Sequence, residues 1–139
     1  RWRHMNERIE EPDFTYWTED DGILRLRFPA GTTIDLDVAT RCIEIGLGIF
    51  QKEPQPLLVY FDEIRGLSRD ARALGSTPQP DVPSPTAVGI IVRSPIARVV
   101  GAMFIALLKK EPYPARVFSS EDAAVEWLEG FRSATSRPP

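Results

Sequence analysis

The sequence has very few of the side chains that carry out chemistry in most enzymes. It contains one cysteine, Cys42, and one histidine, His4, among 139 residues. A lone cysteine forms no internal disulfide, and these two residues do not supply the ligands of a common zinc site. The phosphate-binding pattern G-x-x-x-x-G-K is also missing. We therefore expect a protein that is not an enzyme and that has no cofactor and no metal.

The single histidine lies at the very start of the chain, in the segment RWRHM. We interpret residues 1–4 as an addition that precedes the natural start at Met5, and we leave them out of the fold. Without His4 the chain has no imidazole to act as a general base or to activate a thiol. We therefore predict that Cys42 is a buried structural thiol.

An excess of basic charge and long apolar runs are missing as well. The formal net charge is −3 at pH 7, whereas nucleic-acid-binding domains usually carry a basic face. The longest apolar run, residues 99–108, is half of the roughly 20 residues that span a bilayer, and the start does not read as a signal peptide. We expect a cytoplasmic protein of bacterial type, with no nucleic-acid partner and no stable membrane insertion.

The patterns that are present predict one α/β domain at residues 6–133, followed by a flexible tail at 134–139. Strand patterns occur in a hairpin at 13–28 with its turn at Asp21-Gly22, and at 56–61, 87–92 and 115–118; helical patterns occur at 36–51, 69–75, 95–110 and 119–131. Alternating strands and helices imply right-handed crossovers. We predict a mixed, mostly parallel sheet with an N-terminal antiparallel hairpin and about four helices.

Two local features of these elements are specific enough to check. In the second hairpin strand, Leu24, Leu26 and Phe28 alternate with Ile23, Arg25 and Arg27, which predicts a core face and a wetter face. Polar residues also mark the helix starts. The predicted N-caps are Asp35, Ser68, Ser94 and Ser119, the last with Asp122 three residues later.

Three stretches carry a family resemblance: WTEDDGILRLRF at 17–28, FDEIRGLSRDAR at 61–72, and the segment from Ser94 to Leu128. They resemble the bacterial STAS-like proteins, the group related to the SpoIIAA anti-sigma-factor antagonists. More closely, they resemble the small stand-alone STAS/SEC14-type domains of unassigned function. The resemblance covers about residues 13–132. It implies a SpoIIAA-like fold and a non-enzymatic regulatory or protein-interaction module with a regulatory protein as its partner.

The resemblance also points to a candidate switch. In antagonists of the SpoIIAA type, a serine just after a central strand is phosphorylated, and the phosphate controls docking to an anti-sigma factor. The matching region runs from Asp62 to Ser68, but DEIRG stands in place of the family's Asp-Ser-Ser-Gly turn. The candidate interaction or switch residues are Asp62, Arg65, Ser68, Arg69 and Arg72, since arginines pair well with phosphate. The alternative, that Ser68 only caps a helix, is favoured because serine caps are common.

The helices at 36–51 and 95–110 have more apolar surface than contact with one sheet requires. We expect first a homodimer or partner interface, and second a pocket for a lipid-like apolar small molecule beside helix 95–110. A peripheral membrane contact near Lys109 and Lys110 ranks third. The candidate interface or pocket residues are Val99, Met103, Phe104, Leu107 and Leu108.

Overall fold

The computed structural model describes residues 8–61, 64–75, 82–109 and 111–132. The strands in these ranges are β1 (Arg8–Glu11), β2 (Phe14–Thr18), β3 (Leu24–Arg27), β4 (Thr33–Ile34), β5 (Leu57–Tyr60), β6 (Gly66–Leu67), β7 (Val88–Ile91) and β8 (Ala115–Phe118). The helices are α1 (Leu36–Lys52), α2 (Arg69–Gly75), α3 (Pro95–Leu108) and α4 (Glu121–Glu129).

Six of these strands form one sheet in the order β1-β2-β3-β5-β7-β8. The pairs β1–β2 and β2–β3 are antiparallel, and β3–β5, β5–β7 and β7–β8 are parallel. The predicted fold class is therefore confirmed: a mixed, mostly parallel sheet with an N-terminal antiparallel hairpin. Strand β1 extends the hairpin edge, and β4 pairs with β6 as a separate parallel ribbon of two-residue strands. The sequence did not predict these three strands.

Helices cover both faces of the sheet. On one face, α1, α2 and α3 enclose the larger core, in which Leu26, Val59 and Ile90 are buried. On the other face, α4 places Ala124 and Leu128 against a smaller core. Leu24 and Leu26 of β3 belong to the larger core, whereas Ile23, directly before β3, belongs to the smaller one, since successive side chains alternate between the two faces.

Three of the four predicted helix caps are confirmed. The side chains of Asp35, Ser68 and Ser94 accept hydrogen bonds from backbone N–H groups three residues later, at 2.9, 3.1 and 3.1 Å. The prediction for α4 was wrong by one residue: Ser120, not Ser119, accepts from the Ala123 N–H at 3.2 Å. Two adjacent serines give the same sequence signal, and the backbone conformation decides which one caps.

The predicted wetter face of β3 was also partly wrong. Arg27 is exposed, but Ile23 and Arg25 are buried. The reason is that this face of the sheet carries the smaller core, which includes Ile23 and lies beneath α4. An arginine can be buried here only because its donors find acceptors, which are described below.

Candidate functional site

An apolar cavity of about 250 Å³ lies between the sheet and helices α1, α2 and α3. Its lining includes Leu26, Val59 and Val88 from the sheet, Ala39, Leu47 and Phe50 from α1, Leu67 and Ala71 near the start of α2, Phe104, Leu107 and Leu108 from α3, and residues 82–85. Leu47, Leu107 and Leu108 are only partly buried. Part of the excess apolar surface of α1 and α3 therefore faces this cavity.

Two polar lining residues are already paired with each other. The Tyr16 hydroxyl donates to the Cys42 backbone carbonyl at 2.9 Å and lies 3.4 Å from the Cys42 thiol. Burial raises the pKa of the Cys42 thiol to about 12, so the thiol stays protonated at neutral pH and is a poor nucleophile. The predicted burial of Cys42 is confirmed.

The remaining polar lining groups gather at one end of the cavity. Strands β5, β7 and β8 are parallel and in register at their first residues, so the segments that lead into β7 and β8 meet at this edge of the sheet. These segments carry Ser84, Glu111 and Tyr113, which are all half-buried. Burial, and to a smaller extent the charge of Glu111, raises the pKa of Tyr113 to about 12. Tyr113 is therefore a neutral hydroxyl beside a carboxylate.

The structure separates the five predicted interface or pocket residues of α3. Phe104, Leu107 and Leu108 line the cavity, whereas Val99 and Met103 do not. Val99 is 61% exposed on the outer side of α3. Met103 packs against the larger core and lies 3.9 Å, at its sulfur, from Nη1 of Arg72. The cavity and the exposed side of α3 thus involve different residues.

The predicted switch region is only partly described, because Asp62 lies outside the described residues. Arg65, Arg69 and Arg72 are exposed. Ser68 is half-buried; its backbone N–H donates to the Ile34 carbonyl at 2.9 Å, and its hydroxyl accepts from the Ala71 N–H. These contacts confirm the favoured interpretation that Ser68 caps α2, and its role as a switch stays a candidate.

Sequence reasoning missed a buried polar cluster on the opposite face of the sheet. Arg25 donates from Nη1 and Nη2 to the two carboxylate oxygens of Asp21 at 2.9 and 2.8 Å, and from Nε to the Tyr60 hydroxyl at 3.2 Å. The Tyr60 hydroxyl donates onward to Glu121 at 2.9 Å, and the Trp17 ring stacks on Tyr60 with centroids 5.8 Å apart. The available signal was an arginine inside an apolar strand, four residues after an aspartate.

The polar groups of this cluster are hydrogen-bonded to one another. Burial, and to a smaller extent the hydrogen bond to Glu121, raises the pKa of Tyr60 to about 12, so Tyr60 remains a neutral donor.

Within the described ranges, no group of three or more histidine, cysteine or acidic residues is arranged to hold a metal ion. In the same ranges, each helix is too short or too polar to cross a membrane.

Comparison with known proteins adds a family and confirms the fold. Residues 16–132 match the model of the family described as Domain of unknown function (DUF7793). The structure is similar to the crystal structure of an uncharacterized protein from the DUF3478 family with a SpoIIAA-like fold from Shewanella loihica PV-4, with a TM-score of 0.52 and 15% sequence identity over 88% of this chain and 90% of that one. At this identity the likeness concerns the fold alone, and it confirms the expected SpoIIAA-like architecture. None of the curated proteins matches the chain.

Proposed function

This chain belongs to the family described as Domain of unknown function (DUF7793), and for it we propose that the domain binds a small apolar molecule between the sheet and helices α1, α2 and α3. The observation that carries the proposal is the apolar cavity of about 250 Å³. An apolar cavity of about 150 Å³ already holds benzene, and drug-sized ligands occupy roughly 300–1,000 Å³. The cavity is therefore large enough for an apolar molecule somewhat bigger than benzene.

The physical driving force is the burial of apolar surface that the protein alone does not cover. Leu47, Leu107 and Leu108 remain partly exposed although they line the cavity. Water in such a site finds few hydrogen-bond partners, so an apolar ligand that displaces it gains about 25 cal/mol for each Å² removed from water. The proposal involves no catalysis and agrees with the shortage of catalytic side chains.

The test is the binding of 1-octanol, a short apolar probe, to the purified protein. We expect saturable binding of one molecule per chain by isothermal titration calorimetry, with a negative heat-capacity change. At a free concentration of about one hundred times Kd, the probe raises the free energy of unfolding by about 2.7 kcal/mol. Wild-type protein that shows no saturable binding and no stabilisation contradicts the proposal.

Variants that fill the cavity show whether the probe binds there. Ala39 in α1 and Ala71 in α2 are both buried and both line the cavity. We expect Ala39→Phe and Ala71→Phe each to weaken octanol binding at least tenfold, because the added ring occupies the same space. Ala102→Phe, the same change at an exposed position of α3, is the matched control and is expected to bind as the wild type does.

A second candidate function is a regulatory or protein-interaction module of the anti-sigma-factor-antagonist kind, acting through the 62–72 region. The SpoIIAA-like fold supports this general class. A specific observation favours it: Ile96 and Val99 on the outer side of α3 are 57% and 61% exposed. The contact between Arg72 and Met103 places this apolar surface beside α2. Exposed apolar side chains that adjoin one another are typical of an interface.

The homodimer form of this second candidate is tested by sedimentation equilibrium. We expect the wild type to form a dimer, and Val99→Glu to shift it at least tenfold toward monomer, because the change puts a charge into an apolar contact. Leu36→Glu is the control, since Leu36 is exposed on α1 and does not line the cavity, and we expect it to dimerise normally. A monomeric wild type, or a Val99→Glu protein that still dimerises, contradicts a homodimer through α3.

A further inference from the structure

We infer that the cavity selects an apolar molecule whose polar end is a cationic amine, and that it rejects the matching carboxylate. This inference rests on the proposed binding function and names its ligand class. Its basis is the end of the cavity at which β7 and β8 begin, where the remaining lining residues with polar side chains are Ser84, Glu111 and Tyr113. The rest of the described lining is apolar or, in Tyr16 and Cys42, already hydrogen-bonded.

The charge at this end is negative. Glu111 is the one charged side chain among the described residues that line the cavity. It lies close to the last turn of α3, since its backbone N–H donates to the Leu108 carbonyl at 3.0 Å. Tyr113 adds a neutral hydroxyl, which can accept a hydrogen bond from an ammonium group. An alkyl ammonium therefore finds an opposite charge and an acceptor, whereas a carboxylate meets a like charge in a half-buried site.

Two helices reinforce this polarity. Helices α1 and α3 both end toward the start of the parallel strands, and Phe50 and Leu108 near their C-termini line the cavity. A helix C-terminus carries the negative end of the helix dipole and favours cations. The last turn of α3 has no basic residue. Lys52 lies in the last turn of α1 and Lys109 caps α3, but both are exposed and neither lines the cavity.

The experiment compares three probes with the same alkyl chain: octylamine, 1-octanol and octanoate, measured by isothermal titration calorimetry at pH 7. We expect the wild type to bind octylamine about tenfold more tightly than octanol, and octanoate about tenfold more weakly. The preference for octylamine over octanol is expected to fall as salt is added, because the charges lie in a site that is open to solvent.

Variants of Glu111 identify the residue responsible. In Glu111→Gln we expect octylamine and octanol to bind with similar affinity, and in Glu111→Lys we expect octanoate to become the preferred probe. Glu129→Gln, at an exposed position of α4 on the other face of the sheet, is the control and is expected to keep the wild-type order.

The outcomes separate this inference from the function on which it rests. If octanol binds but octylamine is not preferred over octanoate, or if Glu111→Gln keeps the full amine preference, the inference is overturned and the apolar-binding function stands. If none of the three probes binds, the proposed function itself fails. The expected order in the wild type together with its loss in Glu111→Gln supports both.

Discussion

Replacement of Arg25 by methionine is expected to lower the free energy of unfolding by about 3 kcal/mol. The Arg25 side chain is 3% exposed and its partner Asp21 is 21% exposed. Removing one member of a buried ion pair costs about 3–5 kcal/mol because the other charge is left without a partner. We expect the lower end of that range because Asp21 keeps some contact with water. Urea unfolding followed by tryptophan fluorescence measures the change, and methionine preserves most of the packing volume.

The matched control is Arg27→Met, two residues further along the same strand. Arg27 is exposed, and its guanidinium lies 4.2 Å from the Tyr60 ring centroid. Such an exposed cation–π contact contributes about 0.5–1 kcal/mol, so this variant is expected to lose less than about 1 kcal/mol. If Arg25→Met is no less stable than Arg27→Met, the buried ion pair of Arg25 and Asp21 does not stabilise the fold.

The pH dependence of stability checks the same ion pair independently. Burial acts to raise the pKa of Asp21, but the hydrogen bonds and charge of Arg25, together with backbone hydrogen bonds, hold the pKa below its ordinary value. A carboxyl whose pKa is lower in the folded state stabilises the fold fully above its unfolded pKa of about 3.9, and this contribution is lost as the pH falls through the folded pKa. We expect the wild type to lose this stability below about pH 4, and Arg25→Met to show a smaller acid loss.

Arg25 also shows where sequence reasoning stops. Local signals predicted most of the fold: the Asp21-Gly22 turn, the buried strands β5 and β7, and three of four caps depend on neighbouring residues alone. Whether a strand face is exposed to solvent depends on what packs against it. For this face of β3 the covering element is α4, about one hundred residues later in the chain. A pattern of alternation gives the two faces of β3 but does not show that α4 lies over one of them.

The candidate site was predictable to a similar extent. The apolar arcs of α1 and α3 indicated more apolar surface than contact with one sheet requires. A pocket and an interface were both possible explanations of this excess. The structure shows a cavity lined by Phe104, and it leaves Val99 exposed on the outer side of the same helix. The polar end of the cavity was not predicted, since Ser84 and Glu111 come together only through the pairing of β7 with β8. Strands β4 and β6 have two residues each, too few for a periodic signal.

Replacement of Leu128 by alanine is expected to cost about 3 kcal/mol, the second large effect. Leu128 is fully buried and packs against β7, where a methyl group added to Gly89 would come within 3.2 Å of it. Removing a buried leucine side chain costs about 2–5 kcal/mol when the surroundings do not collapse into the space. The smaller core has little freedom to collapse, because half of its other buried members, Leu58, Tyr60 and Ile91, lie on the hydrogen-bonded strands β5 and β7. Urea unfolding gives the loss, and Leu36→Ala, at a position 44% exposed in α1, is expected to cost less than about 1 kcal/mol.

A double variant tests the contact itself. Gly89→Ala alone is expected to destabilise the protein, because its methyl group pushes against Leu128 at a distance tighter than most packed contacts. In Leu128→Ala the same methyl group enters the space that the leucine has left. The double variant is therefore expected to be at least 0.5 kcal/mol more stable than the sum of the two single losses predicts, as in a coupled pair. Strictly additive losses would mean that Leu128 stabilises α4 by some route other than its close approach to β7.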